Sequence, residues 1–204
     1  MPLMPSDLPD EDLMLAYARG DAAAFDTLYG RHEAALYRFV RRLLGRALAA
    51  QADEVFQETW LRIVVARAGF RPQSASWRTW AFTIAHNLAM DRLRVSGREV
   101  LVDTEGESDA PLEWLMARID QVAPSTEDLA FWRAAGAQLL HCLEDLPAPQ
   151  RAAFLLHHED GASVEDLAQR LSLPFETAKS RLRYALQKLR GCMGAYLAPL
   201  EAAR

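Results

Sequence analysis

SVEDLAQRLSLPFETAKSRLRYALQKLR, residues 163–190, holds two short amphipathic patterns that are separated by a few residues. Ser163 suits a helix N-cap, and the apolar residues after it recur at the spacing of one helical face. Pro174 suits the first turn of a second helix, because that position leaves the backbone amide unpaired in any case. A connection this short forces the two helices to cross steeply. The stretch therefore predicts a helix-turn-helix, with helices near 163–170 and 175–190.

The second of these helices carries a positive surface. Residues 175–190 hold five basic side chains and one acid, a net charge of +4, whereas the whole chain carries −5. A local excess of cations after a tight turn is typical of a surface that follows DNA phosphates, although a solvated charged helix is the alternative. We expect an outward face that reads the major groove, made of Thr177, Lys179, Ser180, Arg181, Arg183, Tyr184, Gln187 and Lys188.

A second basic stretch, residues 70–98, mixes aromatic and basic side chains and also carries a net charge of +4. Aromatic rings combined with cations suit unpaired bases, whose faces an intact duplex does not expose. A tryptophan-rich helix is also often part of a core, and both interpretations stay open here. The loop 71–76 favours base docking, because small polar residues after a proline form a shallow turn with hydrogen-bond donors. Helical spacing predicts an inward stripe of Trp77, Trp80, Ala81, Ile84, Ala85 and Leu88 and an outward face of Thr83, His86, Asn87, Met90 and Arg94.

The chain as a whole is predicted to be all-α, with two small helical bundles joined by an acidic linker. Residues 97–130 carry nine acids and two arginines, with glycine, serine and proline among them, as is typical of a linker. We therefore predict a first domain 1–96, a linker 97–125 and a second domain 126–204. Helical patterns fall near 10–19, 21–45, 50–67, 76–95, 126–144 and 149–158, before the helix-turn-helix.

Signatures of catalysis and of membrane insertion are missing from the sequence. It has no glycine-rich phosphate loop, no metalloprotease helix and no nucleophile elbow, so we predict that the chain is not an enzyme. There is no run of eighteen apolar residues and no pattern of a secretion signal. These features favour a cytoplasmic location without direct membrane insertion.

Two cysteines, Cys142 and Cys192, are too few for a disulfide scaffold, and we expect two buried or idle thiols in a reducing compartment. Cys142 together with His141, His157 and His158 could suggest a zinc site. Their spacing lacks paired ligands three or four residues apart on each arm, and adjacent histidines on a helix cannot both face one metal. We therefore predict no metal site and no cofactor.

Several motifs resemble those of extracytoplasmic-function (ECF) sigma factors, a group in the sigma-70 superfamily. The resemblance covers most of the chain, with the motifs in the order that the family has them. It rests on DEVFQETWL (53–61), Phe70-Arg71, WRTW (77–80), IAHNLAMDRLR (84–94), LEDLP (143–147), Arg151, Phe154, Gly161 and TAKSRL (177–182). The resemblance implies a two-domain promoter reader whose partners are core RNA polymerase, promoter DNA and an anti-sigma factor.

Carried over position by position, the resemblance implies three sets of site residues. The helix that docks on the clamp of the polymerase's largest subunit would contain Asp53, Glu54, Gln57, Glu58 and Leu61. The element that melts and reads the −10 sequence would contain Ser74, Ala75, Ser76, Trp77, Thr79, Trp80, His86, Asn87, Asp91 and Arg92, and the loop 74–76 would hold a flipped base. The helix that reads the −35 sequence would contain Thr177, Lys179, Ser180, Arg181, Arg183 and Tyr184.

Two other functions fit parts of the sequence. The first is a one-component helix-turn-helix regulator whose N-terminal half senses a ligand or dimerises. The second is a polymerase-binding interaction protein in which the DNA surfaces are vestigial. The cations at Lys179, Arg181 and Arg183 argue against the second, because such a protein has no need for them on a groove-facing side.

Overall fold

A computed structural model describes residues 8–97 and 126–201 of the 204-residue chain. Every regular element within these two ranges is a helix, which confirms the predicted all-α fold. The described residues divide into two compact units, one of 8–97 with 155–163 and the other of 126–154 with 164–201. Apart from Gly97, the predicted acidic linker 97–125 lies outside the described residues.

Four α-helices, each close to its predicted position, build residues 8–97 of the first unit. Asp21 starts the second of them, because its carboxylate accepts from the amides of Ala23 and Ala24 at 3.0 and 3.3 Å. Gly45 ends the same helix with a φ of 65°, a left-handed conformation that glycine adopts without strain. The helices are α1 (Asp10–Ala18), α2 (Ala22–Leu44), α3 (Ala52–Ala66) and α4 (Trp77–Val95), with 3-10 turns at Arg46–Gln51 and Arg67–Gly69.

The core of this unit lies where α2, α3 and α4 pack against one another. Phe39 of α2 meets Phe82 of α4 edge to face, with ring centroids 5.1 Å apart, and neither side chain is exposed. Ile63 of α3 is equally inaccessible. Burial of each such side chain contributes about 1.5–3 kcal/mol. These contacts fix the mutual placement of the helices that carry the candidate site residues.

Two acidic side chains tie helix α1 to its neighbours, Asp10 to α2 and Glu11 to the start of α4. Asp10 pairs with Arg31 and with the imidazole of His32, each at 2.7 Å. Glu11 accepts a hydrogen bond from the backbone amide of Trp77 at 2.9 Å, so it satisfies one of the unpaired amides at the N-terminus of α4. Burial against Trp77 lowers the pKa of His32, although Asp10 opposes that shift.

The second unit contains α5 (Thr126–Glu144), the beginning of α6 (Ala148–Asp160), α7 (Val164–Arg170) and α8 (Phe175–Glu201). Helices α7 and α8 pack together, which confirms the predicted helix-turn-helix. The turn is closed by a hydrogen bond from the Leu173 amide to the Ala168 carbonyl at 2.9 Å. Ser172 in this turn has a φ of 53°, a conformation that a residue with a side chain rarely adopts.

Helix α8 does not end near 190 as predicted but continues to Glu201. The extension is held by packing, because Met193 is buried and Cys192 forms a disulfide bond with Cys142 of α5. The expectation of two buried or idle thiols is therefore wrong, because the two sulfurs are bonded to each other. The two Cα atoms lie 6.0 Å apart, within the range that a disulfide requires.

Candidate nucleic-acid and partner-binding surfaces

Helix α3 presents the residues predicted to bind polymerase on one face. Its buried side is formed by Val55, Thr59 and Ile63, and the five predicted residues lie on the opposite side, each exposed or half-buried. Leu61 is 59% exposed. Val65, one turn further along, is 78% exposed and extends the same apolar strip. Sequence reasoning missed Val65, although its spacing of four residues from Leu61 was the available signal.

The carboxylates of this face all have partners nearby. Glu54 pairs with Arg92 of α4 at 2.5 Å, so a predicted polymerase-binding residue is tied to a predicted DNA-binding one. Glu58 pairs with Arg62 at 2.7 Å within α3. Asp53 accepts a hydrogen bond from Tyr37, which raises the pKa of the Tyr37 phenol. Exposed pairs of this kind contribute little stability, typically up to about 1 kcal/mol, and can be exchanged for contacts with a partner.

The loop before α4 is held at both ends. Phe70 is buried and Trp77 is not exposed at all, so the chain enters and leaves the loop through the core. Between them, the Ser74 amide donates to the Arg71 carbonyl at 3.0 Å, and the Arg71 guanidinium bonds back to the carbonyls of residues 68 and 70. Ser74 and Ser76 are exposed, and Ala75 is half-buried. A turn of small side chains, with Ser74 and Ser76 exposed, therefore lies between two fixed points.

One hydroxyl of the predicted −10 set, that of Ser76, also caps α4. The Ser76 Oγ accepts from the Thr79 amide at 3.1 Å and lies 2.8 Å from the Thr79 hydroxyl. Such an N-cap is worth about 1 kcal/mol, so Ser76 and Thr79 have a structural role whatever else they bind.

The predicted inward and outward faces of α4 need correction. The buried side is formed by Ala81, Phe82, Ala85, His86, Ala89, Met90 and Leu93, together with Trp77 at the first turn. His86 is 8% exposed and lies 3.1 Å from the Asn87 side-chain oxygen, so His86 and Met90 do not face outward. Trp77 packs against His32 and Trp60, and its ring is not available to a base in this conformation.

Trp80 lies on the outward side of α4 instead. Its ring is half-buried and contacts Phe70, with centroids 5.3 Å apart. Asn87 and Asp91 are exposed and follow seven and eleven residues after Trp80, a spacing that keeps all three on one helical face. Asp91 is paired with Arg94 at 2.7 Å. Trp80, Asn87 and Asp91 therefore line one face of α4, which starts next to the loop 74–76 and runs about 16 Å along the helix from Trp80 to Asp91.

Helix α8 presents the predicted −35 residues as expected from its sequence pattern. Ala178, Leu182, Ala185 and Leu189 are buried against the rest of the unit. Lys188 lies over the ring of Tyr184, with its ammonium 5.5 Å from the centroid. Lys179 is exposed, and Thr177, Ser180, Arg181, Arg183 and Tyr184 are half-buried. A cationic, groove-sized surface therefore follows directly after the tight turn.

Within the described ranges, no group of three or more histidine, cysteine or acidic side chains is arranged to hold a metal ion. Cys142 is bonded to Cys192, so its sulfur is not free to act as a ligand. Burial, with the neighbouring His157, lowers the pKa of His158 to about 4. None of the helices described here is both long enough and apolar enough to cross a membrane.

Two family models match this sequence. Sigma-70 region 2 matches residues 28–99, and sigma-70 region 4 matches residues 136–189. Together they cover more than half of the chain, and they include α3, α4, α7 and the first half of α8. The chain belongs to the sigma-70 family.

Curated relatives of this sigma-70 family member include several ECF RNA polymerase sigma factors, which confirms the resemblance inferred from the motifs. The protein named SigK of Mycolicibacterium vanbaalenii is 27% identical over 194 residues, which are 95% of this chain and 93% of the relative. SigK of Mycobacterium tuberculosis H37Ra is 28% identical over 192 residues, covering 94% of this chain and 96% of the relative.

Two solved structures share the fold. The sigma factor RpoE of Bartonella quintana, in complex with the anti-sigma factor NepR, is 22% identical with a TM-score of 0.57, covering 83% of this chain and 96% of that one. CnrH, in complex with the cytosolic domain of CnrY, is 23% identical with a TM-score of 0.58, covering 91% and 97%. At these identities the likeness supports the fold.

Proposed function

We propose that this chain is an alternative sigma factor that binds core RNA polymerase and directs it to promoters through the surfaces described above. The observation that carries the proposal is the presence of two chemically different nucleic-acid surfaces in one chain. One is the cationic helix α8 behind a tight turn, and the other is the fixed loop 74–76 beside Trp80. The first suits the major groove of duplex DNA, and the second suits an unpaired base.

For the −35 element, we assign reading to the outward face of α8. Arginine and lysine side chains donate to guanine edges, and each good pair is worth about 1–3 kcal/mol of discrimination. The residues assigned are Thr177, Lys179, Ser180, Arg181, Arg183 and Tyr184.

For the −10 element, we assign base capture to Ser74, Ala75 and Ser76, with Trp80, Asn87 and Asp91 on the adjoining face of α4. We assign a positioning role in this site to Trp77, Thr79 and His86, because they lie at the N-terminus and on the inner face of α4. Arg92 is half-buried and paired with Glu54, so it links this surface to α3.

For core polymerase, we assign docking to the exposed face of α3, formed by Asp53, Glu54, Gln57, Glu58 and Leu61. Val65 adds to it because it extends the apolar strip by one turn. An exposed apolar strip flanked by carboxylates suits a helical partner with complementary charge.

A comparison of the free energy needed to open DNA with that gained from base capture shows why polymerase is needed. Opening about ten base-pair steps, at roughly 1.4 kcal/mol each, costs on the order of 14 kcal/mol. Two captured bases return only about 2–6 kcal/mol. The chain alone therefore cannot hold a promoter open, and the remaining stabilisation has to come from DNA that polymerase already holds.

Further properties belong to the same proposal. We take 1–96 and 126–204 as the two functional domains and 97–125 as their linker, with a cytoplasmic location, no catalytic activity and no cofactor. An anti-sigma factor is a proposed partner, since the solved structures of RpoE and CnrH are complexes with NepR and CnrY.

In vitro transcription with purified core polymerase tests the proposal. Promoter-specific transcripts are expected only when both the chain and core polymerase are present. The double variant Lys179→Ala/Arg181→Ala should lose about 2–6 kcal/mol of affinity for the −35 element, and the matched variant Arg133→Ala, an exposed arginine of α5, should behave as wild type.

Other results would identify the rival functions. A footprint on one operator without polymerase would indicate a one-component regulator. Stable binding to core polymerase without any promoter-specific transcript would indicate a polymerase-binding interaction protein. Either outcome contradicts the proposal.

A further inference from the structure

The last turns of α2 and the start of the 3-10 turn after it form a basic surface that the function proposed above does not use. Residues 34–51 contain four arginines, Arg38, Arg41, Arg42 and Arg46, and no acid. Arg38, Arg41 and Arg46 are exposed, and Arg42 is half-buried. In a chain with a net charge of −5, a stretch of +4 concentrates positive potential at one place. We call Arg38, Arg41, Arg42 and Arg46 the arginine face.

Helix geometry places three of these arginines on one side. Positions 38, 41 and 42 are three and four residues apart, so they are neighbours on the outward side of α2, opposite the buried Leu36 and Leu43. From Arg38 to Arg42 the helix rises by about 6 Å. One DNA strand carries a phosphate for about every 3.4 Å of helix axis, so a row of this length can meet about two phosphates.

Stabilisation of the helix end does not account for the arginine face. Cations in the last turn interact favourably with the helix macrodipole, typically by about 0.3–1 kcal/mol each. Arg41 and Arg42 are in the last turn of α2 and fit that role. Arg38 lies one turn earlier and Arg46 lies beyond the end of the helix at Gly45, where this effect does not reach.

The arginine face already binds anionic oxygen within the first unit. The Arg42 guanidinium pairs with the carboxylate of Glu159, and the guanidinium of Arg78 from α4 bonds to the carbonyl of the same residue. Arg78 also pairs with Asp160 at 3.1 Å. Arg42 and Arg78 therefore lie side by side, and the arginine face continues into the N-terminal turn of α4, next to the loop 74–76.

We infer that the arginine face binds the phosphodiester backbone of promoter DNA next to the melted segment. The inference rests on the proposed function, because the loop 74–76 and Trp80 are what bring DNA to this side of the unit. Arginine suits the role, since its planar guanidinium donates two parallel hydrogen bonds to a phosphate. The contacts carry no sequence information and raise the affinity for every promoter equally.

Salt dependence of promoter binding tests this inference. The holoenzyme made from core polymerase and the full chain is compared with holoenzymes that carry Arg38→Ala, Arg41→Ala or both, over about 50–200 mM salt. The matched control is Arg19→Ala, an exposed arginine at the end of α1. The charge-retaining variant Arg38→Lys/Arg41→Lys is included, because a lysine still neutralises a phosphate.

Each lost arginine should reduce the slope of log affinity against log salt by about 0.7–0.9. For the double alanine variant, the affinity gap from wild type should widen about 12-fold between 200 and 50 mM salt, if the contacts are to duplex. The loss should be equal on promoters of different sequence, and the lysine variant and Arg19→Ala should keep the wild-type slope. Affinity for core polymerase should be unchanged in all variants.

Three results would overturn the inference: an unchanged slope in the double alanine variant, a loss of slope in the lysine variant, or a loss of affinity for core polymerase. The last would assign the arginine face to a protein partner. If the wild-type holoenzyme itself fails to transcribe from any promoter, the proposed function fails. If it transcribes normally and only the slope is unaffected by the variants, this inference alone fails.

Discussion

Reduction of the Cys142–Cys192 disulfide should lower the stability of the second unit by about 4 kcal/mol. The bond joins residues 50 positions apart, and closing a loop of that length removes chain entropy from the unfolded state. The chain-entropy relation gives about 4 kcal/mol at 25 °C for such a loop. In a unit of fewer than a hundred residues this corresponds to a fall of about 20 °C in Tm. The reduced unit should still fold, because its core also contains buried apolar side chains such as Leu143 and Met193, whose burial is a separate source of stability.

Urea unfolding of the full chain with and without reductant measures this difference. Far-UV circular dichroism reports the transitions, and hydrogen exchange in α5 and α8 assigns the sensitive one to the second unit. The control is Cys142→Ala/Cys192→Ala, which should unfold near the reduced wild type and should not respond to reductant. Thiol titration establishes which form is present in each sample. If the oxidised and reduced proteins unfold at the same midpoint, the reasoning is refuted.

Three further predictions concern single side chains. Trp80→Ala should remain folded and lose promoter opening, by about 1–3 kcal/mol for one base stack, whereas Trp77→Ala should unfold the first unit. Permanganate reactivity of the promoter measures opening. If folded Trp80→Ala gives the same reactivity as wild type, the assignment is contradicted. Ser172→Gly should stabilise the second unit by about 0.5–1 kcal/mol because glycine tolerates a φ of 53°. If Ser172→Ala stabilises the unit equally, backbone strain is not the cause. The pKa of His158 is about 4 in the folded protein, below the ordinary histidine value of 6.5, so the unfolded chain binds more protons between these values. The contribution of His158 to stability should therefore be full above about pH 6.5 and be lost towards pH 4, a decline of about 2 kcal/mol after allowance for partial exposure. Denaturant midpoints measured against pH should decline less steeply for His158→Asn than for wild type. An equally steep decline in the variant would count against this residue.

Local chemistry made the helix-turn-helix predictable. Ser163, Pro174 and the spacing of apolar residues act within a few positions of one another, and the structure places α7 and α8 within a residue of the predicted starts. The outward face of α8 followed from the same spacing, because Ala178, Leu182 and Ala185 can only point inward as a group.

The buried face of helix α4 was harder to predict, because apolar side chains occur on nearly all of its faces. Its periodicity allowed more than one inward stripe, and the choice is made by neighbours from other helices. Phe82 points inward because Phe39 of α2 meets it, and Trp77 is covered by His32 and Trp60. Trp80 is consequently left on the outer face.

Contacts between residues that are far apart in the chain could not be predicted from a single sequence. Cys142 and Cys192 are 50 residues apart, and only the packing of α5 against α8 brings them together. The same holds for Glu54 with Arg92 and for Glu11 with the amide of Trp77, since each partner is on a different helix.

The anchoring of Phe70 and Trp77 has a consequence for the energetics of capturing a base. Restricting the backbone of a flexible residue opposes binding by about 1–2 kcal/mol, whereas a single base stack returns about 1–3 kcal/mol. If this loop were flexible, the entropy lost on ordering its residues would therefore oppose binding by more than one base stack contributes. Since the turn between Arg71 and Ser74 is already formed, that entropy is lost during folding. A base that arrives there meets a preorganised receptor, and discrimination depends on how well the base fits.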